Sequence, residues 1–368
     1  MKSVKTSRKN GFTLIEIMVA LAIGAVVIGG ISQVYISFQQ TNKVSFALSR
    51  LQESARLATD TMLQDISMIG FLGCLDPMLS DPEINVIYTN APSWIDNFRR
   101  DSLMGWDVTQ TAWGDTVGLG NIDGTANKNA IMNSDVIRAQ FLSRSRLDLT
   151  AAMTNSSSDI GVNSNIFGLT SGDVAAIGDC QKVDIFKITG VGSSPITFSH
   201  SASGNDSDDL SGTYNDVTNT KVRIVLNNTY FVGKTGRTNA TGDDVYALYR
   251  YDRDDVTEEI IEGVENMQVL YGEEISVDPC DDTSNQIRYV SATDAADMSR
   301  VSVIKIGLLL ASTERVLTKS DTTTYQVLDQ NIANTGTTIT YADDRRLRKA
   351  INMTVNIRNR RTTEECVL

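Results

Sequence analysis

The sequence predicts an α+β protein in which one long N-terminal α-helix, half of it in a membrane, packs on a mainly antiparallel β domain with long loops. Two observations predict this fold class. An apolar run that begins at Phe12 and reaches Ile31 continues as a helical stripe that ends near Ile69. After Pro77 the helical spacing stops, and short β-branched or aromatic runs alternate with clusters of Gly, Asn, Asp and Ser.

The composition limits the chain to one membrane span. Hydrophobic residues make up 41% and charged residues 21% of the 368 residues, which is close to the usage of globular proteins. The net charge of −12 is spread through the C-terminal three quarters of the chain, so the chain lacks the basic surface that nucleic-acid binding requires. We therefore expect no nucleic-acid partner.

A short basic leader precedes the apolar run. Every residue from Ile17 to Ile31 is apolar or glycine, and together with the residues from Phe12 the run has about the 20 residues that span a bilayer. The positive-inside rule places residues 1–10 in the cytoplasm and the C-terminus across the inner membrane, in the periplasm. No small-residue cleavage site follows the run, so we expect the helix to stay attached. The basic residues of the leader are Lys2, Lys5, Arg8 and Lys9.

Glu16 is the one ionisable residue inside the apolar run. A charge in a bilayer is costly unless it is paired or neutralised. A cut after Gly11 would place the new amino group of Phe12 one helical turn from Glu16, where the two groups could pair within one chain or between neighbours. The alternative is an ordinary anchor that carries an unpaired glutamate.

The segment Gly11-Phe12-Thr13-Leu14-Ile15-Glu16 resembles the processing and assembly motif of type IV pilins and pseudopilins. The resemblance implies a type IV pilin-like fold, in which a prepilin peptidase cuts after Gly11 and methylates the amino group of Phe12. It implies that Glu16 recruits the subunit to the N-terminus of its neighbour. The implied partners are other minor pilins and the major pilin, contacted through the N-terminal helix, and the inner-membrane assembly platform.

Beyond the span, apolar residues recur at intervals of three or four and predict that the same helix continues. The helix divides into residues 12–36, the membrane and assembly half, and residues 37–72, the outer amphipathic half. An uninterrupted helix that ends near Ile69 would be about 85 Å long. We favour packing of the stripe against a sheet over a coiled coil, because the heptad is short and lacks ordered flanking charges. The stripe consists of Val44, Leu48, Leu51, Ala55, Ala58, Met62, Ile66 and Ile69.

Residues 73–368 are predicted to form the exported β-rich domain, as one unit or as two subdomains. Polar stretches at residues 109–133, 150–165 and 199–220 predict long surface loops. Strands are predicted at residues 135–141, 173–177, 182–188, 222–232, 245–252, 267–271, 301–310 and 351–357.

Three further stretches resemble the PilW family of minor pilins, namely residues 172–186, 262–272 and 344–360. This likeness spans most of the chain. Secretion pseudopilins share the leader, but their J type is markedly shorter and their K type usually lacks the glutamate found here as Glu16. These departures favour a subunit of a pilus.

Four cysteines are far apart and form no CxxC pair, which favours structural disulfides in an exported domain over a metal or redox site. The residues alone allow three pairings, and free buried thiols are the alternative. We expect one bond between Cys74 and Cys180, which would tie the end of the helix to the sheet. We expect the other between Cys280 and Cys366, which would fasten the C-terminus as a C-terminal disulfide loop does in many pilins.

The sequence predicts no enzyme, cofactor or metal site. The one histidine, His200, lies in a Ser-rich loop and has no nucleophile motif, so we expect it to be exposed to solvent. Acidic clusters at residues 206–209, 252–255 and 278–282 lack the EF-hand spacing and are interpreted as solvated loops.

Three functional hypotheses follow. The first is a minor pilin that helps to prime assembly of a type IV pilus and is located at the filament tip, a role that the family resemblance supplies. The second is a minor pseudopilin of a type II secretion system. The third is a binding module at the tip, whose long loops contact a surface, DNA or an adhesin, although nothing in their residues indicates a ligand.

Overall fold

The computed structural model describes residues 12–75, 83–91, 95, 98, 100–108, 130–252, 256–275 and 286–359. Helix α1 is Leu14–Ile66, and a short 3-10 turn lies at Met298–Arg300. The strands are β1 Glu83–Val86, β2 Leu103–Trp106, β3 Val136–Leu142, β4 Leu147–Asp148, β5 Ile160–Gly161, β6 Val174–Gly178, β7 Lys182–Lys187, β8 Gly190–Ser193, β9 Ile196–Ser199, β10 Lys221–Thr238, β11 Asp244–Tyr251, β12 Thr257–Glu262, β13 Val264–Glu274, β14 Ile287–Val290, β15 Val301–Ala311, β16 Tyr325–Val327, β17 Gln330–Ala333, β18 Ile339–Thr340 and β19 Arg348–Asn356.

Helix α1 is continuous over 53 residues, which corresponds to a length of about 80 Å. No proline interrupts this stretch of sequence, and the i to i−4 hydrogen bonds can therefore run from the N-cap to the last turn. The helix ends three residues before the predicted Ile69, where Ser67 caps it and Gly70 turns the chain at a φ of 75°.

The outer half of α1 buries one stripe of small and medium apolar side chains. The predicted stripe is wrong at Leu48, which is 39% exposed. Ala47 faces the domain instead, because it lies four residues before the buried Leu51 and so shares its face of the helix. The buried apolar residues of the stripe are Ala47, Leu51, Ala55, Ala58, Met62 and Ile66.

The largest sheet is organised around the long strand β10. The strand order is β1-β7-β6-β10-β11-β12, and β3 and β4 also pair with β10. Three strands pair with successive parts of β10: β6 with its beginning, β3 with its middle and β11 with its end. All of these pairs are antiparallel, while the edge strand β1 pairs with β7 in parallel.

A second, four-stranded antiparallel sheet has the order β14-β13-β15-β19. Smaller sheets are formed by β16-β17-β18 and by β5-β9-β8. The stripe of α1 belongs to one hydrophobic cluster with residues of both large sheets, among them Tyr230 and Leu248 from the first sheet and Met267 and Ile306 from the second. The α+β fold with a mainly antiparallel β domain is therefore confirmed.

Each predicted strand has a counterpart in the structure, and β10 and β13 are longer than predicted. The stretch 150–165 contains the short strand β5, whereas most of 109–133 lies outside the described residues. The stretch 199–220 lacks strands beyond the end of β9, yet it packs inward with Leu210 and Tyr214. Tyr214 anchors this loop because its hydroxyl donates to Asp184 Oδ2 of β7 at 2.7 Å.

A disulfide joins Cys74 and Cys180, with their Cα atoms 4.9 Å apart. It ties the link that follows α1 to the turn between β6 and β7. The closed loop spans a sequence separation of 106 residues, so restriction of the unfolded chain contributes about 5 kcal/mol. Cys280 and Cys366 lie outside the described residues, and their pairing stays a prediction.

One buried carboxyl group joins the two large sheets. Asp135, just before β3, accepts a hydrogen bond at Oδ2 from Val269 N of β13 at 2.8 Å. The pKa of Asp135 is raised to about 7, chiefly by burial and in smaller part by the nearby charge of Asp107, while the bond from Val269 opposes the shift. The carboxyl group is therefore neutral in the folded protein at acidic pH.

The outer stripe of α1 gives the first testable prediction. Met62→Ala should lower the free energy of unfolding by about 2–5 kcal/mol, because Met62 is fully buried and its truncation leaves a cavity. The matched control is Leu57→Ala on the same helix, where Leu57 is 50% exposed and the loss should be about 0.5 kcal/mol or less. Urea denaturation of the full-length chain in detergent measures both. Equal losses in the two variants would contradict the packing of this face.

A second prediction concerns pH. The unfolded Asp135 ionises near 3.8 and the folded one near 7, so the stability contributed by the neutral carboxyl group is complete below pH 3.8 and is lost as the pH rises through 7. Between pH 4 and 7 the wild type should lose stability relative to Asp135→Asn, by up to about 1.4 kcal/mol per pH unit. Denaturation curves of both proteins across this range test the prediction. A difference that does not change with pH would show that Asp135 is already ionised in the fold.

Candidate functional site

The N-terminal end of α1 carries a capping box. Thr13 is the N-cap residue, and both its backbone N and its Oγ1 donate to Glu16 Oε2 at 2.9 Å. In return, Glu16 N donates to Thr13 Oγ1 at 3.3 Å. Two backbone N–H groups that lack helical partners are satisfied in this way. The order Thr-x-x-Glu therefore starts the helix where the sequence places it.

Glu16 also carries a charge, in addition to its part in the capping box. From Phe12 to Gln40 it is the one acidic or basic side chain in the sequence, and it lies at the positive end of the helix dipole. Thr13 occupies one carboxylate oxygen in the protomer. Sequence reasoning looked for a partner in an amino group and overlooked this local one, although Thr13 and Glu16 have the spacing of a capping box.

The first half of α1 has no cover from its own domain. The large apolar side chains between Leu14 and Phe38 are 51% to 78% exposed. By length and composition the helix can cross a membrane, and none of its apolar window is buried against the rest of the described residues. A surface of this size needs lipid or other apolar helices around it.

Three glycines in the first half of α1 leave positions where another helix can approach the backbone closely. A Cβ built on Gly24, Gly29 or Gly30 meets no atom within 4 Å, so the helix backbone is open at these positions. The helix remains regular through all three. Small residues let helix backbones approach each other in a bilayer. Gly29 and Gly30 are adjacent, so together they leave two neighbouring positions of the helix without side chains.

The β domain contacts α1 from about Gln40 onward. Gln40 Nε2 donates to Val316 O, in the segment between β15 and β16. Near the other end, the buried Asp65 accepts from Asn228 Nδ2 at 2.6 Å and from Tyr230 OH at 2.5 Å, and Arg250 lies 3.7 Å away. Burial and the adjacent Asp65 raise the pKa of Tyr230, so its hydroxyl stays a donor. The outer half of the helix is thus fixed by polar contacts at both ends.

A buried ionic network fixes the segment that contacts Gln40. Arg348 of β19 bonds Glu265 Oε2 of β13 at 2.6 Å and Asp344 Oδ1 at 2.9 Å. Arg346 bonds the same two carboxylates, both at 2.6 Å. All four side chains are at most 7% exposed, and such a network tolerates no missing partner. The sequence analysis did not find this network, although the alternating Arg346 and Arg348 beside Asp344 were a signal for it.

The remaining predicted positions fall into two groups. Gly11, Cys280, Cys366 and the acidic stretch 278–282 lie outside the described residues. The prediction that His200 is exposed is wrong: it is 3% exposed, its Nε2 lies 3.0 Å from Ser158 O, and its ring meets Phe186 edge to face. The loop that carries it folds back over β7. Among the described residues no group of three or more His, Cys, Asp or Glu side chains could hold a metal ion.

The comparisons with known proteins agree with this arrangement. Residues 6–32 match the family model of the prokaryotic N-terminal methylation motif, which defines a prepilin-type protein. Residues 229–359 match the model described as Type IV Pilus-assembly protein W. The chain is therefore similar to prepilin-type proteins at its N-terminus and to the pilus-assembly family over residues 229–359. No curated protein matches the chain.

The capping box provides a way to separate two roles of Glu16. Glu16→Gln keeps an N3 side chain that can close the box but removes the charge, whereas Glu16→Ala removes both. The family resemblance implies that the charge of Glu16 recruits the subunit, so we expect both variants to be inserted and cleaved before Phe12 and both to be absent from sheared pili. Mass spectrometry of the N-terminus and immunoblots of sheared filaments measure the two steps.

The matched control is Glu53→Gln, an exposed carboxylate on the outer half of the same helix, which should be incorporated like the wild type. If Glu16→Gln enters filaments normally while Glu16→Ala does not, helix capping and not charge is the role of this residue.

Proposed function

We propose that this chain is a minor pilin that helps to prime assembly of a type IV pilus and is located at the filament tip. The observation that carries the proposal is the helix α1, whose first half is fully exposed while its outer half is locked into the β domain. The match of residues 229–359 to the pilus-assembly family supports the pilus over other uses of such a helix. The role is structural and involves no enzymatic step.

In this proposal residues 1–11 are the cytoplasmic leader and residues 12–36 are the span, with the domain from residue 73 onward in the periplasm. Prepilin peptidase cuts after Gly11, and the new N-terminus, Phe12, is methylated. The match of residues 6–32 to the methylation motif supports this processing.

Assembly then exchanges one apolar environment for another. The exposed side chains between Leu14 and Phe38 leave lipid and pack against the helices of other minor pilins and of the major pilin, so little apolar surface has to meet water at any stage. Glu16 guides the exchange through the amino group of a neighbouring subunit. The assembly platform of the inner membrane carries out the extraction, and a tip adhesin is a further partner of the domain.

A chromosomal deletion, complemented by the wild type or by Glu16→Ala, tests the function. We expect the deletion to lose surface filaments and twitching motility while protein secretion continues. The wild type should restore both properties and Glu16→Ala neither, with the mature N-terminus of the restored strain read as methyl-Phe12. Normal piliation together with defective secretion would instead assign the chain to a type II secretion system.

The tip location needs its own readout. Immunogold labelling of an epitope placed in the loop 199–220 should mark filament ends and not their length. Labelling along the shaft would leave the chain a pilin but would contradict the position at the tip.

A further inference from the structure

A cavity of about 280 Å³ lies beside the Cys74–Cys180 disulfide. Four segments form its walls: the link after α1, the turn between β3 and β4, the turn between β6 and β7, and the start of β10. We call it the basic pocket, because three of its lining side chains are cations. The lining residues used below are Gly73, Arg146, Asp179, Lys221 and Arg223.

The charges around the basic pocket do not balance. Lys221 Nζ lies 3.0 Å from Asp148 Oδ1, and Arg146 Nε lies 3.9 Å from the same oxygen. One carboxylate therefore serves two cations. Asp179 also lines the cavity, but its Oδ1 already accepts backbone N–H groups from Gln181 at 2.8 Å and Lys182 at 3.0 Å. These bonds stabilise the turn. With Asp148 and Asp179, two carboxylates therefore face the three cations.

Arg223 is the cation of the basic pocket whose charge is least compensated. Its NH1 donates to Ser143 O at 2.6 Å and to Arg144 O at 2.8 Å, and within the described part of the chain no carboxylate lies within salt-bridge distance. Burial lowers the pKa of Arg223, and the nearby Arg146 lowers it further. A half-buried guanidinium beside a second cation, in a protein with a net charge of −12, is costly unless an anion binds there.

The fold holds these groups in place. The Arg223 side chain extends over the ring of Phe71, and its Nε would lie 3.2 Å from a Cβ on Gly73. Gly73 has a φ of 87°, so a glycine is needed there both for the backbone and for the close approach of the arginine. The adjacent disulfide fixes two walls of the cavity to each other. The cations are thus positioned before any ligand arrives.

We propose that the basic pocket binds a single oxyanion group, a carboxylate or a phosphate, between Arg146, Lys221 and Arg223. Planar guanidinium groups form paired hydrogen bonds with either group, and a lysine adds a point charge. The cavity of about 280 Å³ has room for one such anionic group.

The basic pocket lies outside the family match. The match to the pilus-assembly family begins at Thr229, and every residue that lines the pocket precedes it, with Arg223 the last of them along the chain. The residues that the family model matches therefore do not form the pocket.

Titration calorimetry on the full-length chain in detergent tests the site, with inorganic phosphate and N-acetylglutamate as separate probes and sodium chloride at equal ionic strength as the reference. We expect saturable binding of at least one probe. Arg146→Gln and Arg223→Gln should each weaken it about tenfold, the loss of one charge-assisted hydrogen bond. Arg56→Gln is the control, because the side chain of Arg56 is 85% exposed and lies on α1.

The outcomes separate clearly. Binding of phosphate alone assigns a phosphate group, and binding of N-acetylglutamate alone assigns an acidic side chain. Because the Arg146 side chain is 57% exposed, Arg146→Gln should fold even if Arg223→Gln does not, and circular dichroism checks both. No saturable heat from either probe, or equal affinity in the wild type and Arg146→Gln, would refute the site.

Discussion

The burial of the outer half of α1 between two sheets is the constraint on which the rest of the structure depends. The stripe from Ala47 to Ile66 is one wall of the largest hydrophobic cluster, and both large sheets supply the others. A helix of 53 residues without such a partner would expose apolar surface over its whole length. The domain packs against only the outer half of α1. The first half remains a regular apolar helix whose side chains are not covered by the domain.

Polar contacts lie at both ends of the interface between α1 and the β domain. Gln40 meets Val316 at the lower end, and the buried Asp65 meets Asn228 and Tyr230 at the upper end. Apolar packing alone would permit the helix to slide or rotate by a turn, whereas a buried carboxylate with two donors has one good position. Asp65 therefore fixes the register of α1 on the first sheet, and with it the height of the domain above the membrane.

Sequence reasoning recovered the features that periodicity encodes. The helix, its start near Thr13 and the eight predicted strands follow from apolar spacing, whereas β1 has only four residues and β12, Thr257–Glu262, contains three glutamates that hide its pattern. Leu48 was misplaced because the drift of a helical stripe is decided by tertiary contact. The buried polar groups His200, Asp65 and Arg348 could not be found, because each depends on a partner far away in the chain: His200 on Ser158, Asp65 on Tyr230 and Arg348 on Glu265.

The two halves of the β domain differ in what holds them. The part that matches the pilus-assembly family, residues 229–359, contains β11 to β19 and the buried ions around Arg348, and it carries most contacts to the outer helix. The part between the helix and residue 229 pairs with it through β3 and β10, and it contributes Ile137 and Phe141 to the cluster around α1, while the Cys74–Cys180 bond ties the link after α1 to this part. The ions around Arg348 all lie within residues 229–359, so none of them lines the basic pocket. A ligand in the basic pocket therefore contacts no member of the ionic network.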